Sequence, residues 1–216
     1  MKINKEQVLE NFKKGPSVTY FLIMINIIMY IITAFTSFYY FHGGILNIDT
    51  RAIIVLGGMV NLLVKNGEYY RLFTAGFLHA SVLHLTLNMI ALNAIGSIVE
   101  KVLGKGKFII VYILSLIFAS YGSYVVANVK LGIGISVGAS GAIFGLLGSL
   151  LIIVFLNKKV FGKTVLRGIT EVIVVNLLIG FFVPNIDITA HVTGGIAGAI
   201  ITFLIIIIER KKLRKQ

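Results

Sequence analysis

The chain has 216 residues, with 20 Lys+Arg against 8 Asp+Glu, and it is 57% apolar and only 13% charged. A soluble domain carries about a quarter charged residues, so disorder is excluded and a water-soluble globule is disfavoured. With no cysteine, disulfides, thiolate metal sites, iron–sulfur clusters and a cysteine nucleophile are also excluded. What remains is an all-α polytopic membrane protein.

A charge at the bilayer centre costs about 2.5–3.5 kcal/mol on insertion scales, so long uncharged runs mark the membrane. The run from Gly15 to Ile48 holds a first helix starting near Pro16–Ser17. Ala52–Val64 follows, 13 residues between Arg51 and Lys65. That is too short to cross, so it reads as an interfacial or re-entrant element embedded between the first two spans. Leu72–Val99 holds the second span, entered at about Val82, with its first part left as loop. Phe108–Val129 holds the third and Leu131–Asn157 the fourth, entered at about Val137. The fifth lies in the shorter run between Glu171 and Asp187, and spans only if Glu171 sits near an interface or the bilayer thins. Ile188–Ile208 is the sixth.

This divides the chain into a cytoplasmic N-terminal segment (1–16), a six-span domain (17–208) and a basic cytoplasmic tail (209–216). The N-terminal helix lacks a small-residue cleavage site and is read as a helix that stays. With both termini on one side, sixteen basic residues fall there and four (Arg51, Lys65, Arg71, Lys130) fall opposite. The positive-inside rule makes the sixteen-residue side cytoplasmic. It also accounts for the net charge of +12 without nucleic acid. The basic tail reads as a topology anchor touching anionic lipid.

Strongly polar side chains within spans are functional hypotheses by default. His84 and Asn88, four residues apart, share a face of span two. Ser140 lies in GASG at the start of span four, and His191 opens AHVTGGIAG in span six. All four lie nearer the outer side. The chemistry suits hydrolysis: a neutral imidazole can take the proton from a serine hydroxyl, and attack on an amide builds an oxyanion that needs preorganised donors. His84, Asn88 and the Ser140 N–H are suitable donors. Gly138 and Gly141 allow close backbone approach beside the serine. Gly194 and Gly198, on one face with His191, form a small-residue surface that fits Gly141, Gly145 and Gly148 of span four. Pressing those faces together brings Ser140 and His191 towards each other. Phe144, one turn after Ser140, is placed to stack on the imidazole.

Each residue alone has a blander reading. A serine among small residues commonly bonds a backbone carbonyl in a membrane helix, and a lone histidine is as often a packed one. His79 reads as a structural hydrogen-bonder tying the first loop, and its five-residue spacing from His84 does not place the pair well on one face for a metal. His42 reads as interfacial, and Glu171 as a partner of Arg167. Asp187, four residues before His191, could orient the imidazole and make a triad.

FLHASVLHLTLNM, GASGAIFG and AHVTGGIAG together resemble the signature regions of rhomboid intramembrane serine proteases. YYR at Tyr69–Arg71 and LNAIGSIVEKVLG ending span two with Glu100 accompany them. The similarity runs from about Tyr69 to Ile200, with Tyr70 where members often have tryptophan. It implies a six-helix rhomboid fold in which Ser140 is nucleophile, His191 general base, and His84 and Asn88 oxyanion residues. The family works without a third acidic residue and without a cofactor. Ala52–Val64 would be its membrane-embedded first loop, and no appended soluble module is expected.

The expected activity is hydrolysis of peptide bonds in or near transmembrane segments of other membrane proteins, close to the outer leaflet. The fifth span would be a lateral gate, and a bacterial inner membrane the expected location. The rivals are a non-catalytic rhomboid-like protein that binds transmembrane clients, and a small transporter. The transporter would predict internal repeats, and none is visible.

Overall fold

The structure, a computed structural model, describes residues 10, 15–130, 133–183 and 186–213. Most of the N-terminal segment expected over 1–16 and the last three residues of the tail therefore lie outside the described residues.

Helix α1 (Ser17–Phe41) begins after Pro16, which offers no side-chain cap. The orphan amides of its first turn are met from elsewhere. Glu100 accepts hydrogen bonds from Val18 N (3.0 Å), Thr19 N (2.7 Å) and Thr19 Oγ1 (2.8 Å). That carboxylate is buried, and the positive end of the helix favours its charge. The start of the first span is thus fastened to the end of the second.

Between them runs the folded first loop. It holds α2 (Thr50–Val55), the two-residue strand β1 (Met59–Val60), α3 (Asn61–Lys65) and the short turn α4 (Arg71–Thr74). Asp49 caps α2 by accepting Arg51 N (2.8 Å), and the Arg51 guanidinium holds its carboxyl down to about 2. The cap therefore stays charged at physiological pH. Arg71 is buried and donates to the carbonyls of Ile54 (2.6 Å) and Gly58 (3.0 Å) while pairing with Glu68. Thr74 Oγ1 donates to the carbonyl of Gly57 (2.6 Å), which sits at φ +99°.

Helix α5 (Val82–Leu103) is the second span and widens into a π-turn over Leu92–Gly96. Its N-cap is Ser81, which accepts from His84 N (3.1 Å). Helix α6 (Lys105–Val129) is the third. Strand β2 (Ile135–Ser136) then pairs antiparallel with β1, Met59 opposite Ser136 and Val60 opposite Ile135. Helix α7 (Ser140–Leu156) is the fourth span, and at 17 residues it is shorter than the apolar run that contains it. The described residues before Ser140 go into β2 and a turn, which places the start of α7 within the body of the protein.

Helix α8 (Lys158–Phe182) is a full-length fifth span rather than a short one, because its helix extends back through Glu171 and Arg167. These two pair on one face at 2.7 Å. Gly162, at φ +82°, breaks the helix near its start. Helix α9 (Ile188–Leu213) is the sixth, and it carries the helix past the expected domain edge at 208. At that end Lys107 of α6 pairs with Glu209.

Among the described residues, five helices are long and apolar enough to cross a membrane, and α7 is a shorter apolar sixth. Their outward side chains are apolar: Ile31, Leu83, Ile90 and Ile196 are all exposed. The interior combines large apolar side chains such as Phe108, Tyr112 and Leu146 with small and polar residues, the latter being expected where lipid gives helices no hydrophobic reason to associate. Ser149 of α7 and Thr202 of α9 are fully buried and share a 2.7 Å hydrogen bond.

Glu100→Ala leaves the first turn of α1 without its acceptor, and is expected to lower stability by about 1–3 kcal/mol. Thermal unfolding in detergent measures this, and Glu100→Gln should recover part of the loss.

Candidate active site

Helix α7 is the centre of the site. Every residue from Gly141 to Ser149 is buried, and α9 crosses it with almost no side-chain layer between the backbones. A Cβ built on Gly194 would collide with the carbonyl oxygen of Gly141, one on Gly198 with that of Gly145, and one on Gly148 with that of Gly195. The two glycine faces therefore meet residue against residue, and only glycine fits. Ser140 precedes the first of these contacts by one residue and His191 precedes its partner by three, so both lie at the same end of the crossing.

The His191 ring stacks on Phe144 at 4.2 Å between centroids, with 12° between planes. The histidine is buried, and its Nδ1 has no hydrogen-bond partner among the described residues. That edge faces Gly180 of α8, where a Cβ would lie 3.7 Å from Nδ1. Packing, not a carboxylate, fixes the imidazole. Both carboxylate oxygens of Asp187 are engaged by groups other than the imidazole. Its Oδ1 accepts Ala190 N at 2.9 Å and its Oδ2 accepts the hydroxyl of Ser123 on α6, so it caps α9. Ser140 is half-buried at the first position of α7.

His84 and Asn88 converge on the turn before Ser140. Gly138 sits at φ +116°, and a Cβ there would lie 2.7 Å from His84 Cε1, 2.8 Å from Nε2 and 3.5 Å from Asn88 Nδ2. The main chain at Gly138 is therefore pressed against both side chains in a conformation that L side chains rarely adopt. Asn88 is buried and its Nδ2 is an unpaired donor among the described residues. His79 is fully buried behind this pair, edge-to-face with His84 at 5.0 Å.

The first loop sets the position of the segment leading to Ser140. Besides the β1–β2 pairing, Gly138 N donates to the carbonyl of Ala75 (3.0 Å), and Gly134 N donates to Asn61 Oδ1 (2.9 Å). Asn61 Nδ2 in turn reaches Asn128 Oδ1 on α6 (3.3 Å). The roles of Gly180, Ser123 and Asn61 were not visible in the sequence, since each lies far along the chain from the residue it supports.

Comparison with known proteins agrees with this architecture. The Rhomboid domain family model matches residues 66–208. The chain belongs to the rhomboid family. It is 37% identical to the rhomboid protease GluP of Bacillus subtilis over 188 residues, covering 87% of this chain and 34% of GluP. It is 36% identical to YdcA of the same organism, over 72% of this chain and 75% of YdcA. RHOMBOID-like protein 4 of Arabidopsis thaliana is 35% identical over 70% of this chain and 38% of its own length. The chain thus spans about a third of the length of two of these rhomboid relatives and most of the third.

Phe144 covers one face of a histidine that is 8% exposed. Phe144→Ala is expected to speed modification of His191 by diethylpyrocarbonate severalfold, read by peptide mass spectrometry, with His42 as the internal reference.

Proposed function

We propose that this rhomboid is an intramembrane serine endopeptidase working through a Ser140–His191 dyad. The observation that carries the reading is the glycine crossing of α7 and α9, with His191 stacked on the first turn of the helix that Ser140 opens. Because Nδ1 faces Gly180, Nε2 is the edge left for the serine.

In this reading Nε2 of His191 takes the Ser140 hydroxyl proton as Oγ attacks the scissile carbonyl carbon. The carbonyl oxygen becomes an oxyanion, met by the Ser140 N–H at the start of α7, by Asn88 Nδ2 and by the His84 ring. The C–N bond then breaks, and the imidazolium gives its proton to the leaving amine. Water, activated by the same imidazole, attacks the acyl-enzyme ester and releases the second product and Ser140. The Phe144 stack holds the ring through both halves, doing by packing what an acid does in a triad.

A helical substrate hides its carbonyls in i→i+4 bonds, so segments with small or helix-breaking residues should be preferred. The unequal distribution of basic residues supports cytoplasmic termini and a site near the outer leaflet of a bacterial inner membrane. Helix α8 has a single buried residue, Gly180, which supports its role as a lateral gate for transmembrane substrates.

Cleavage of a model transmembrane substrate by purified protein tests the dyad. Ser140→Ala and His191→Ala should abolish cleavage while the protein stays folded, and Ser140→Ala should also abolish fluorophosphonate labelling. Asn88→Ala should lower kcat about 10²–10³-fold, as for loss of one oxyanion donor. A folded wild type that neither cuts nor labels would instead favour client binding.

For the gate, cysteines placed on α5 and α8 and bridged chemically should block cleavage of transmembrane substrates, with activity returning on reduction. Full activity in the bridged form would sink the gate.

A further inference from the structure

Asp187 ends the segment before α9, one helical turn ahead of His191. Each of its acceptors is occupied. Oδ1 caps the helix at Ala190 N (2.9 Å), and its main-chain oxygen accepts His191 N at 3.2 Å. Oδ2 accepts the hydroxyl of Ser123, a buried residue of α6. The adjacent Gly122 is pressed by Thr193 of α9, whose Oγ1 would lie 2.6 Å from a Cβ at that position. Helix α6 therefore grips the first turns of α9 on both sides of His191, by a hydrogen bond at Asp187 and by contact at Thr193.

The grip matters because no hydrogen bond from a described residue orients the imidazole at Nδ1. Its Nδ1 is unpartnered among the described residues, so its position depends on the Phe144 stack and on the register of its own backbone. That register is set at Asp187, whose main-chain oxygen receives the His191 amide. The carboxylate is also one turn from the imidazole and would otherwise be free to swing towards it. The tether forms one wall of a cavity of about 340 Å³ that Lys130 and Thr189 also line.

We infer that Ser123 is a positioning residue for His191, acting through the Asp187 cap: it fixes the start of α9 and keeps the carboxylate off the imidazole. This rests on the dyad reading above. Ser123 neither touches the substrate nor carries a proton in the reaction.

Steady-state cleavage by the full chain tests it, with thermal unfolding and Ser140 fluorophosphonate labelling measured on the same samples. Ser123→Ala should lower kcat by about tenfold with little change in KM, with labelling slowed in step. Ser123→Thr, which keeps the hydroxyl, should restore most of the rate. Asp187→Asn keeps one of the two side-chain acceptors, enough to cap Ala190 N, and should retain more activity than Asp187→Ala. The double variant Ser123→Ala/Asp187→Ala should be no slower than Asp187→Ala alone, because both remove one coupled interaction. Should the alanine variant fail to fold, Ser123→Cys, isosteric with a much weaker donor, makes the same comparison. Wild-type kcat in folded Ser123→Ala or Ser123→Cys, or additive losses in the double variant, would overturn the inference. That outcome is distinct from failure of the dyad, which would show as activity surviving in Ser140→Ala or His191→Ala.

Discussion

The backbone contact between α7 and α9 is the constraint on which the rest depends. In a bilayer, burying Leu against Leu gains nothing over burying it against lipid, so helices associate where small residues let their backbones approach. Here three glycines on each helix interlock against the other's carbonyl oxygens, close enough for Cα–H···O contacts to add to dispersion. The seam also needs a third helix of small residues. Ala119 of α6 sits against Gly141 and Gly194, and Ser115 sits against Gly145. The same stripe continues to Gly122 and Ser123, where α6 meets Thr193 and Asp187. A single three-helix seam therefore fixes both where the two candidate catalytic side chains stand and how their helices begin.

The other half of the site is held by non-helical chain, which is harder to keep in a membrane. Backbone amides and carbonyls outside a helix must find partners there. Arg71 gives the first loop two of its partners by reaching the carbonyls of Ile54 and Gly58. The β1–β2 ladder and Asn61 supply others at the point where the chain turns towards Ser140. A loop satisfied this completely behaves as scaffold. Its task is to hold Gly138 against His84 and Asn88, and the positive φ of that glycine is what lets the turn come so close.

Most of the architecture was legible in the sequence because membranes write a strong signal. Charges marked the ends of α1, α5, α6 and α9, and glycine spacing identified the faces of α7 and α9 that meet. Phe144 could be matched to the His191 ring from its place one turn after Ser140. The fifth span was harder, since hydropathy alone stopped at Glu171, whereas the charge is tolerated through its i−4 pairing with Arg167. The short α7 was hidden in a longer apolar run whose first part forms loop and strand. Asp187 stayed open for a physical reason: one turn from a histidine, a carboxylate can face either the ring or the amides of its own helix. The hydroxyl that decides between them comes from Ser123, 64 residues away along the chain, and no local pattern announces it.

The way His191 is held also bears on how a laterally admitted substrate could reach it. An imidazole oriented by an acid on a moving helix would lose its alignment whenever that helix swung out. Here the stacking ring belongs to α7, most of which is buried, and the register is anchored to α6, which turns a buried stripe from Phe108 to Ser123 inward. Helix α8 has Gly180 as its one fully buried residue, at the edge of the imidazole, and packs Phe161 against the core near its other end. The stack, the cap and the glycine seam are all made by other helices. If α8 is the gate proposed above, support and access fall to different helices, and a base without a third partner would stay aligned while the neighbouring helix opened.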